Sequence, residues 1–345
     1  MFKPDRLAIL AEGKLGLLTS KTAACVIRYR PEQVVCVIDS TRRGLTVGDV
    51  LGFGGAIPVV GSLEEAMTTA PDSLLMGIAP RGGALPPEWR RTVLSAIDHG
   101  LNVISGLHTL LGDDSEIVAR AGLSGVEIWD IRRPVIPEDV AQGELRDKSG
   151  LVVLTVGSDC RSGKMTVAYE LARALNAEGV DAEFVPTGQT GILLAGWGVA
   201  VDRLPGDFMS RVVEDLTVEA LSRSAVAVVE GQGSLVHPAY SGVTLALMHG
   251  CYADAMILCH QPGKHEIEGY GISIPPLREL IAIYEQAYAP VFPSRVIAVA
   301  LNTYELDEDA ATAAVTAAED ETGLPAADVV RFGCGKILKA TKEML

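Results

Sequence analysis

Residues 151–170, LVVLTVGSDCRSGKMTVAYE, decide the fold of the second half of the chain, because they contain an apolar run, a glycine-bounded loop and a helical stretch in that order. Backbone N–H groups of such a loop and the start of the following helix form an electropositive seat for phosphate, and the lysine adds a mobile positive charge. The stretch therefore predicts a strand, a phosphate-binding loop and a helix. The candidate ligand-binding residues are Gly157, Ser158, Asp159, Cys160, Arg161, Ser162, Gly163, Lys164 and Thr166.

The loop departs from the usual phosphate-loop pattern in two ways. Five residues separate Gly157 from Gly163 instead of four, and Met165 follows the lysine where a serine or threonine normally binds Mg²⁺. Thr166 comes one residue later, which on a helix is a rotation of about 100°. The pattern thus favours phosphate binding over ATP hydrolysis, and Thr166 is a metal ligand only if the protein uses Mg²⁺.

Length and composition predict two α/β domains. The chain has 345 residues, 48% of them hydrophobic, and 36 glycines, with short apolar runs that alternate with helical stretches. This is typical of an α/β enzyme with parallel sheets and not of a scaffold or a disordered protein. We expect a Rossmann-like domain over residues 1–133, a linker over 134–150 that is rich in proline, glycine and charge, and a P-loop-type domain over 151–345.

Charge and cysteine content exclude several classes of function. The net charge is −15 without a run of lysine and arginine, which argues against nucleic-acid and anionic-membrane partners. No signal peptide or membrane-spanning run is evident, so we expect a cytoplasmic protein. The six cysteines contain no CxxC pair, so neither a zinc knuckle nor a disulfide framework is indicated. Apolar sheet edges favour a homo-oligomer, and the expected partner is a small molecule.

The first domain begins like a dinucleotide fold but lacks its glycine fingerprint. Residues 6–11 and 33–40 have the pattern of buried strands, yet Gly13 and Gly16 stand alone and no GxGxxG follows. Asp39 ends the second of these strands. Its carboxylate is suited either to a ribose or to capping local N–H groups, and the sequence favours the cap.

The segment 225–238, AVAVVEGQGSLVHP, places Glu230 after a predicted strand of the second domain. In a phosphate-loop fold this position suits a Mg²⁺ ligand or a catalytic acid or base, although a carboxylate there also anchors loops. Gly231 and Gly233 permit close backbone approach, and with Ser234 they offer N–H groups to a developing oxyanion. His237 is an alternative proton acceptor or a structural hydrogen-bonding residue.

Other polar residues lie at predicted strand ends of the same domain. Gln189 and Thr190, in the turn 188–191, are suited to substrate contacts. Lys264 and Arg278 are candidates for binding a carboxylate or a phosphate, or they are surface charges. His260 and His265 lack a third ligand at suitable spacing, so we do not expect a zinc site. Cys160 is either a reactive thiol near a helix start or a small packed residue.

Four segments together resemble a bacterial family long known only as a domain of unknown function. They are residues 157–166, 185–208, 228–250 and 258–269. That family has a Rossmann-like N-terminal part and a phosphate-loop C-terminal part, and it includes D-glutamate N-acetyltransferases of the DgcN type. The resemblance implies acetyl-CoA as co-substrate and an acidic D-amino acid as acceptor. A looser resemblance to dethiobiotin synthetase, in GSDCRSGK and VEGQGS, implies ATP with Mg²⁺, but Met165 departs from it.

The leading hypothesis is therefore acetyl transfer from acetyl-CoA to the amine of D-glutamate. In it the phosphate loop and Lys164 hold the CoA phosphates, and Glu230 or His237 is the base. Lys264, Arg278 or Arg203 pairs with the substrate carboxylates. The alternatives are a kinase or ligase that uses Mg²⁺ and ATP with Lys164, Thr166 and Glu230, and a nucleotide-sensing module without turnover.

Overall fold

The structure is a computed structural model that describes residues 4–17, 19–78, 83 and 85–345. The chain divides into two compact units. The first comprises residues 1–133 and 192–197, and the second comprises 134–191 and 198–345.

The first unit contains a parallel sheet whose described part has six strands in the order β3-β2-β1-β4-β5-β6. Every residue of β1 and of β4 is buried. This doubly wound order is that of a Rossmann-like domain, as the sequence predicts. Its elements are β1 (Leu7–Leu10), α1 (Lys21–Tyr29), β2 (Val34–Ile38), α2 (Val47–Leu51), β3 (Val59–Val60), α3 (Leu63–Met67), β4 (Ser73–Met76), α4 (Pro87–Asp98), β5 (Asn102–Ser105), α5 (Ser115–Ser124) and β6 (Ile128–Asp130).

Asp39 is fully buried and caps the loops at the end of β2. Its carboxylate accepts hydrogen bonds from the N–H groups of Gly13, Leu15 and Thr41 at 3.0–3.1 Å and from the Thr41 hydroxyl at 2.6 Å. Because both oxygens are engaged, the structure confirms the cap over the ribose ligand.

The second unit contains another parallel sheet, with the described strands in the order β14-β13-β10-β7-β9-β8. Its elements are β7 (Leu151–Gly157), α6 (Lys164–Ala177), β8 (Ala182–Val185), the first residues of α7 (Gln189–Ala195), α8 (Gly206–Leu221), β9 (Val226–Val229), α9 (Ser241–Cys251), β10 (Ala255–His260), β11 (Glu266–Ile267), β12 (Ile272–Ser273), α10 (Leu277–Tyr288), β13 (Arg295–Leu301), α11 (Glu308–Thr322), β14 (Ala326–Ala327) and α12 (Gly335–Lys342). The rest of α7, from residue 192, belongs to the first unit. The strands β11 and β12 form a separate antiparallel hairpin.

The phosphate loop lies at the point where this sheet reverses its winding. After β7 the chain forms β8 and β9 on one side of β7, and it then forms β10, β13 and β14 on the other side. Ligands of open α/β sheets bind outside the carboxyl ends of the strands at such a point. The helix α6 packs on this sheet through one apolar face, on which Val167, Leu171 and Leu175 are all buried.

The segment 134–150 contains no helix or strand and is part of the second unit. The N–H groups of Gln142 and Glu144 each donate to the carboxylate of the buried Glu214 at 2.7 Å. In the part of the chain that the structure describes, no helix is long and apolar enough to cross a membrane.

Candidate active site

The loop between β7 and α6 closes around the ammonium group of Lys164. Arg161 and Gly163 have positive φ angles of 61° and 102°, which turn the loop back toward its own start. Lys164 Nζ donates to the Asp159 carbonyl at 2.8 Å and to Ser162 Oγ at 3.2 Å. The side chain is 7% exposed, and burial lowers the pKa of its ammonium group. This is the shape of a phosphate-binding loop.

The loop folds back so closely over position 157 that this residue must be a glycine. A Cβ atom at this position would lie 2.5 Å from Ser162 Oγ and 2.8 Å from Lys164 Nζ. Thr166 and Met165 lie in the first turn of α6, and both are half-buried.

Asp159 is the buried anion of the loop and gathers most of its polar contacts. Its carboxylate accepts from the N–H of Cys160 at 2.6 Å and lies 2.8 Å from Lys264 Nζ. Burial alone would raise its pKa, but Lys264 and the Cys160 N–H outweigh this effect and hold the pKa below its usual range. The hairpin region also contributes Glu268, which pairs with Arg161. Lys264 and Arg161 are thus both paired within the protein.

Glu230, at the end of β9, is held by the loop that follows β8. One carboxylate oxygen accepts from the N–H groups of Thr187 and Gly188, each at 3.1 Å. Burial raises the pKa of Glu230 to about 7, against the lowering effect of these two N–H groups. A carboxylate with this pKa is suited to proton transfer near neutral pH. The anchoring interpretation and the acid–base interpretation of Glu230 are therefore compatible.

The glycines around Glu230 make room for its carboxylate. A Cβ atom at Gly188 would lie 3.0 Å from one carboxylate oxygen, and one at Gly191 would lie 2.3 Å from the other. Gln189 and Thr190 follow Gly188 as the first residues of α7, where the sequence predicted a turn. Gly188 and Gly191 therefore leave the space that the buried Glu230 side chain fills.

The loop after Glu230 differs from its predicted role at one position. The N–H of Gly231 donates to Thr155 Oγ1 at 2.9 Å, so it is not available to a developing oxyanion. Within the described residues, the N–H groups of Gln232, Gly233 and Ser234 donate to no acceptor. The N–H groups of this loop that make no hydrogen bond within the described residues therefore begin one residue later, at Gln232.

His237 is buried beside Asp159, but its hydrogen bond argues against its predicted role as a base. Its Nδ1 accepts from the N–H of Ala239 at 3.1 Å, which places the proton of a neutral ring on Nε2. That atom faces Asp159 Oδ1 at 3.9 Å. The neutral ring thus has no free lone pair with which to accept a proton, and Glu230 is the better candidate.

The same hydrogen bond bears on metal binding. Asp159, Cys160 and His237 each place one potential ligand atom within 4.8 Å of the others. Histidine ligands of metals normally donate their second ring N–H to an acceptor, whereas Nδ1 of His237 is itself an acceptor here. Asp159 is in addition paired with Lys264. The cluster fits a hydrogen-bonded loop better than a metal centre.

Arg278 and Arg203, two of the residues predicted to bind a substrate carboxylate, differ from each other in their hydrogen bonds. Arg278 donates through Nε and Nη2 to the carbonyl of Glu321 at 3.0 and 2.5 Å, and its N–H donates to the Glu321 carboxylate. It joins the start of α10 to the end of α11, so the predicted substrate role is corrected to a structural one. Arg203 lies in a short 3-10 turn, and its Nε is buried without a hydrogen-bond partner among the described residues.

Two side chains support the loop in roles that the sequence did not predict. Tyr284, from α10, is fully buried, and its hydroxyl donates to the Gly157 carbonyl at 2.7 Å and accepts from the Leu235 N–H at 3.1 Å. His260, at the end of β10, lies with Nδ1 2.9 Å from Ser158 Oγ, and burial lowers its pKa to about 4. The position of His260 at a strand end was a usable signal, while Tyr284 gave none.

Comparison with known proteins agrees with this architecture. The P-loop domain of DUF1611, described as a domain of unknown function, matches residues 139–338, and its Rossmann-like N-terminal domain matches residues 40–134. A crystal structure of a DUF1611 family protein from Anabaena variabilis ATCC 29413 is 36% identical, with a TM-score of 0.94 over 98% of this chain and 99% of that one.

Two curated relatives match nearly the full chain. A protein from Tritonibacter scottomollicae is 35% identical over 94% of both chains, and one from Pseudoalteromonas sp. is 32% identical over 97% of this chain and 98% of its own. Both are named D-glutamate N-acetyltransferase. The resemblance seen in the sequence motifs is confirmed, and the chain belongs to the DUF1611 family, with its Rossmann-like and P-loop domains.

Proposed function

We propose that this protein is an N-acetyltransferase that transfers the acetyl group of acetyl-CoA to the amine of D-glutamate. The observation that carries the proposal is the near full-length relationship, at 32–35% identity, to two proteins named D-glutamate N-acetyltransferase. The chemistry of the second unit supports it, because a phosphate loop and a buried carboxylate with a raised pKa lie on neighbouring strands.

In this proposal the phosphate loop holds the donor without cleaving a nucleotide. CoA carries a pyrophosphate and a 3′-phosphate, which suit the N–H groups of the loop, the start of α6 and Lys164. Met165 is consistent with this use, since holding CoA phosphates does not require the hydroxyl that binds Mg²⁺.

Glu230 is the proposed general base. The amine of D-glutamate is protonated at neutral pH and must lose a proton before it attacks the thioester carbon. With a pKa of about 7, Glu230 is ionised in a large fraction of molecules at neutral pH and still accepts a proton effectively. In this proposal the amine lies on the β8–β9 side of the phosphate loop, where Glu230 accepts from the Gly188 N–H.

The N–H groups of Gln232, Gly233 and Ser234 are the proposed donors to the thioester oxygen as it gains negative charge. Such donors are worth about 3 kcal/mol each in other acyl-transfer enzymes. The C–N bond forms, the C–S bond breaks, and CoA leaves as a thiolate, which takes up the second proton that the nitrogen loses and becomes the free thiol. Because the pKa of a thiol is about 8.5, its departure needs little help from an acid.

Arg203 is the proposed partner of a substrate carboxylate. Its buried, unpartnered Nε is a donor that a carboxylate can satisfy. The Val201 N–H donates to the Thr187 carbonyl at 3.0 Å, so the turn that carries Arg203 is fixed to the loop that holds Glu230. Gln189 and Thr190 belong to the same loop region and stay candidates for substrate contacts.

The test is release of CoA thiol from acetyl-CoA with D-glutamate, compared with L-glutamate, with no amine, and with or without ATP and Mg²⁺. We expect thiol release that requires D-glutamate and is independent of ATP. ADP formation without thiol release would overturn the proposal in favour of a kinase or ligase. Tight binding of donors without any product would favour a nucleotide sensor.

A variant pair connects the assay to the site. Glu230→Gln should abolish most of the thiol release, whereas Glu183→Gln, on the neighbouring strand β8 and partly exposed, should retain it. Equal activity in both variants would remove Glu230 as the base and leave the acetyl transfer itself untouched.

A further inference from the structure

A cavity of about 460 Å³ lies in the second unit on the β10–β13 side of the phosphate loop. Its walls come from the end of β10, the turn at 262–265, residues 274–277 and one face of α11. Most of the lining is apolar, with Ile274, Pro276, Leu301 and Ala317 among it. A cavity of this size is in the range of small-ligand pockets.

Two contacts connect the cavity to the phosphate loop. His260 and Lys264 line the cavity, and they contact Ser158 and Asp159 of the loop at 2.9 and 2.8 Å. The cavity and the phosphate loop therefore share the side chains of His260 and Lys264 as a common wall.

The polar groups of the cavity suit a nucleoside. Glu321 accepts one hydrogen bond, from the Arg278 N–H, through Oε1, and among the described residues its Oε2 accepts none. That oxygen is suited to the amino group of adenine or to the ribose hydroxyls. A flat purine packs well between apolar walls. The Glu321 carboxylate and the mostly apolar lining disfavour an acidic amino acid.

The topology assigns the two ends of CoA to opposite sides of the loop. The pyrophosphate of CoA lies between an adenosine and a pantetheine arm that ends in the thioester. Under the proposed function the thioester must reach Glu230, on the β9 side of β7. The adenosine is then left for the β10 side, where the cavity lies.

We infer that the cavity beside His260 binds the adenosine moiety of the phosphate-loop ligand, an inference that rests on the proposed function for its choice of CoA. Both CoA and ATP carry an adenosine 5′-phosphate. The cavity would therefore serve either ligand, and separate titrations distinguish them.

Ala317 offers a way to fill the cavity from an exposed position of α11. Ala317→Trp adds a large ring to the cavity wall, whereas Ala313→Trp makes the same change on an exposed part of the same helix outside the lining. Isothermal titration calorimetry with CoA, adenosine 3′,5′-bisphosphate, ATP and S-acetylpantetheine then measures how much each part of the ligand contributes to the affinity. Thermal unfolding of both variants checks that the fold is retained.

We expect Ala317→Trp to lower the affinity for CoA and for adenosine 3′,5′-bisphosphate by about tenfold or more, and Ala313→Trp to bind both ligands as tightly as the wild type does. S-acetylpantetheine, which lacks the nucleoside, should bind both variants equally. If Ala317→Trp lost affinity for ATP but not for CoA, the cavity would still be an adenosine site, but its ligand would be ATP and not CoA. Unchanged affinity of Ala317→Trp for every adenosine ligand would overturn the inference.

Photolabelling gives a second readout that needs no variant. An 8-azidoadenosine 3′,5′-bisphosphate probe should label peptides from residues 262–277 or 308–322, with protection by CoA. Labelling confined to other parts of the chain would contradict the assignment. Because neither measurement requires turnover, absence of acetyl transfer would overturn the proposed function while leaving the site testable.

Discussion

The backbone of Gly231 lies directly against the carbonyl of Thr155. A Cβ atom at position 231 would stand 1.6 Å from that oxygen, and the Gly231 N–H donates to Thr155 Oγ1 at 2.9 Å. This contact fixes the end of β9 to the phosphate-loop strand β7. The position therefore has no space for a side chain without a shift of the backbone.

Replacement of this glycine should destabilise the second unit strongly. We expect Gly231→Ala to lower the free energy of unfolding by more than about 3 kcal/mol, because the alanine methyl group must displace a strand. Denaturant unfolding measures the change. Gly242→Ala, in α9, is the control: apart from its chain neighbours and the backbone of its own helix, no described heavy atom lies within 4 Å of its Cβ position, and alanine favours the helix. Equal unfolding midpoints for the two variants would contradict the steric argument.

Glu230→Gln should remove activity while keeping the fold. The glutamine oxygen still accepts from the Thr187 and Gly188 N–H groups, but an amide does not take up a proton. We expect kcat/KM to fall by about 10²- to 10⁴-fold. In the wild type, kcat/KM should rise with pH around a midpoint near 7, as Glu230 loses its proton. If kcat/KM of Glu230→Gln still rose with pH around 7, the group that titrates there would not be Glu230.

The same residue makes stability depend on pH. The pKa of Glu230 is about 7 in the folded protein and about 4.5 when exposed, so protonation favours folding. Its stabilising contribution is complete below about pH 4.5 and is lost as the pH rises through about 7. The free energy of unfolding of Glu230→Gln, relative to that of the wild type, should therefore increase by about 3 kcal/mol between pH 4.5 and pH 8. A difference that does not change with pH, measured by urea unfolding, would contradict the raised pKa.

The Lys264–Asp159 pair should be more important for stability than a surface pair. Asp159 is 1% exposed, so Lys264→Met leaves a buried carboxylate without its cation, at a cost of about 3–5 kcal/mol. Lys336→Met, which breaks an exposed pair with Glu319, should cost less than about 1 kcal/mol. The double variant Asp159→Asn/Lys264→Met should recover part of the loss. Additive effects in this cycle would show that the two groups do not interact.

The sequence predicted the elements whose signals are local. The order of apolar run, glycine loop and lysine defined β7 and α6, and the carboxyl-end rule placed Glu230 beside them. Contacts between distant segments were not predictable in this way. Arg278 bonds to Glu321, 43 residues away, and Tyr284 bonds to Gly157, 127 residues away, so neither partner could be read from spacing. The homo-oligomer stays a prediction.

Lys164 separates the role of the phosphate loop from that of the base. Its ammonium group contacts only loop atoms, Asp159 O and Ser162 Oγ, among the hydrogen bonds of the described residues. Lys164→Met keeps the length of the side chain and removes the charge. A charge-assisted bond to a phosphate is worth about 1.5–3 kcal/mol, so kcat/KM for acetyl-CoA should fall by about 10- to 100-fold.

The choice of donor then shows where Lys164 acts. S-acetylpantetheine has the same thioester but no phosphate, and its kcat/KM should be nearly the same in Lys164→Met and in the wild type. Lys339→Met, an exposed change on α12, should leave both donors unaffected. Equal losses with both donors would place Lys164 in the acyl transfer itself, because an effect on phosphate binding requires a phosphate to be present.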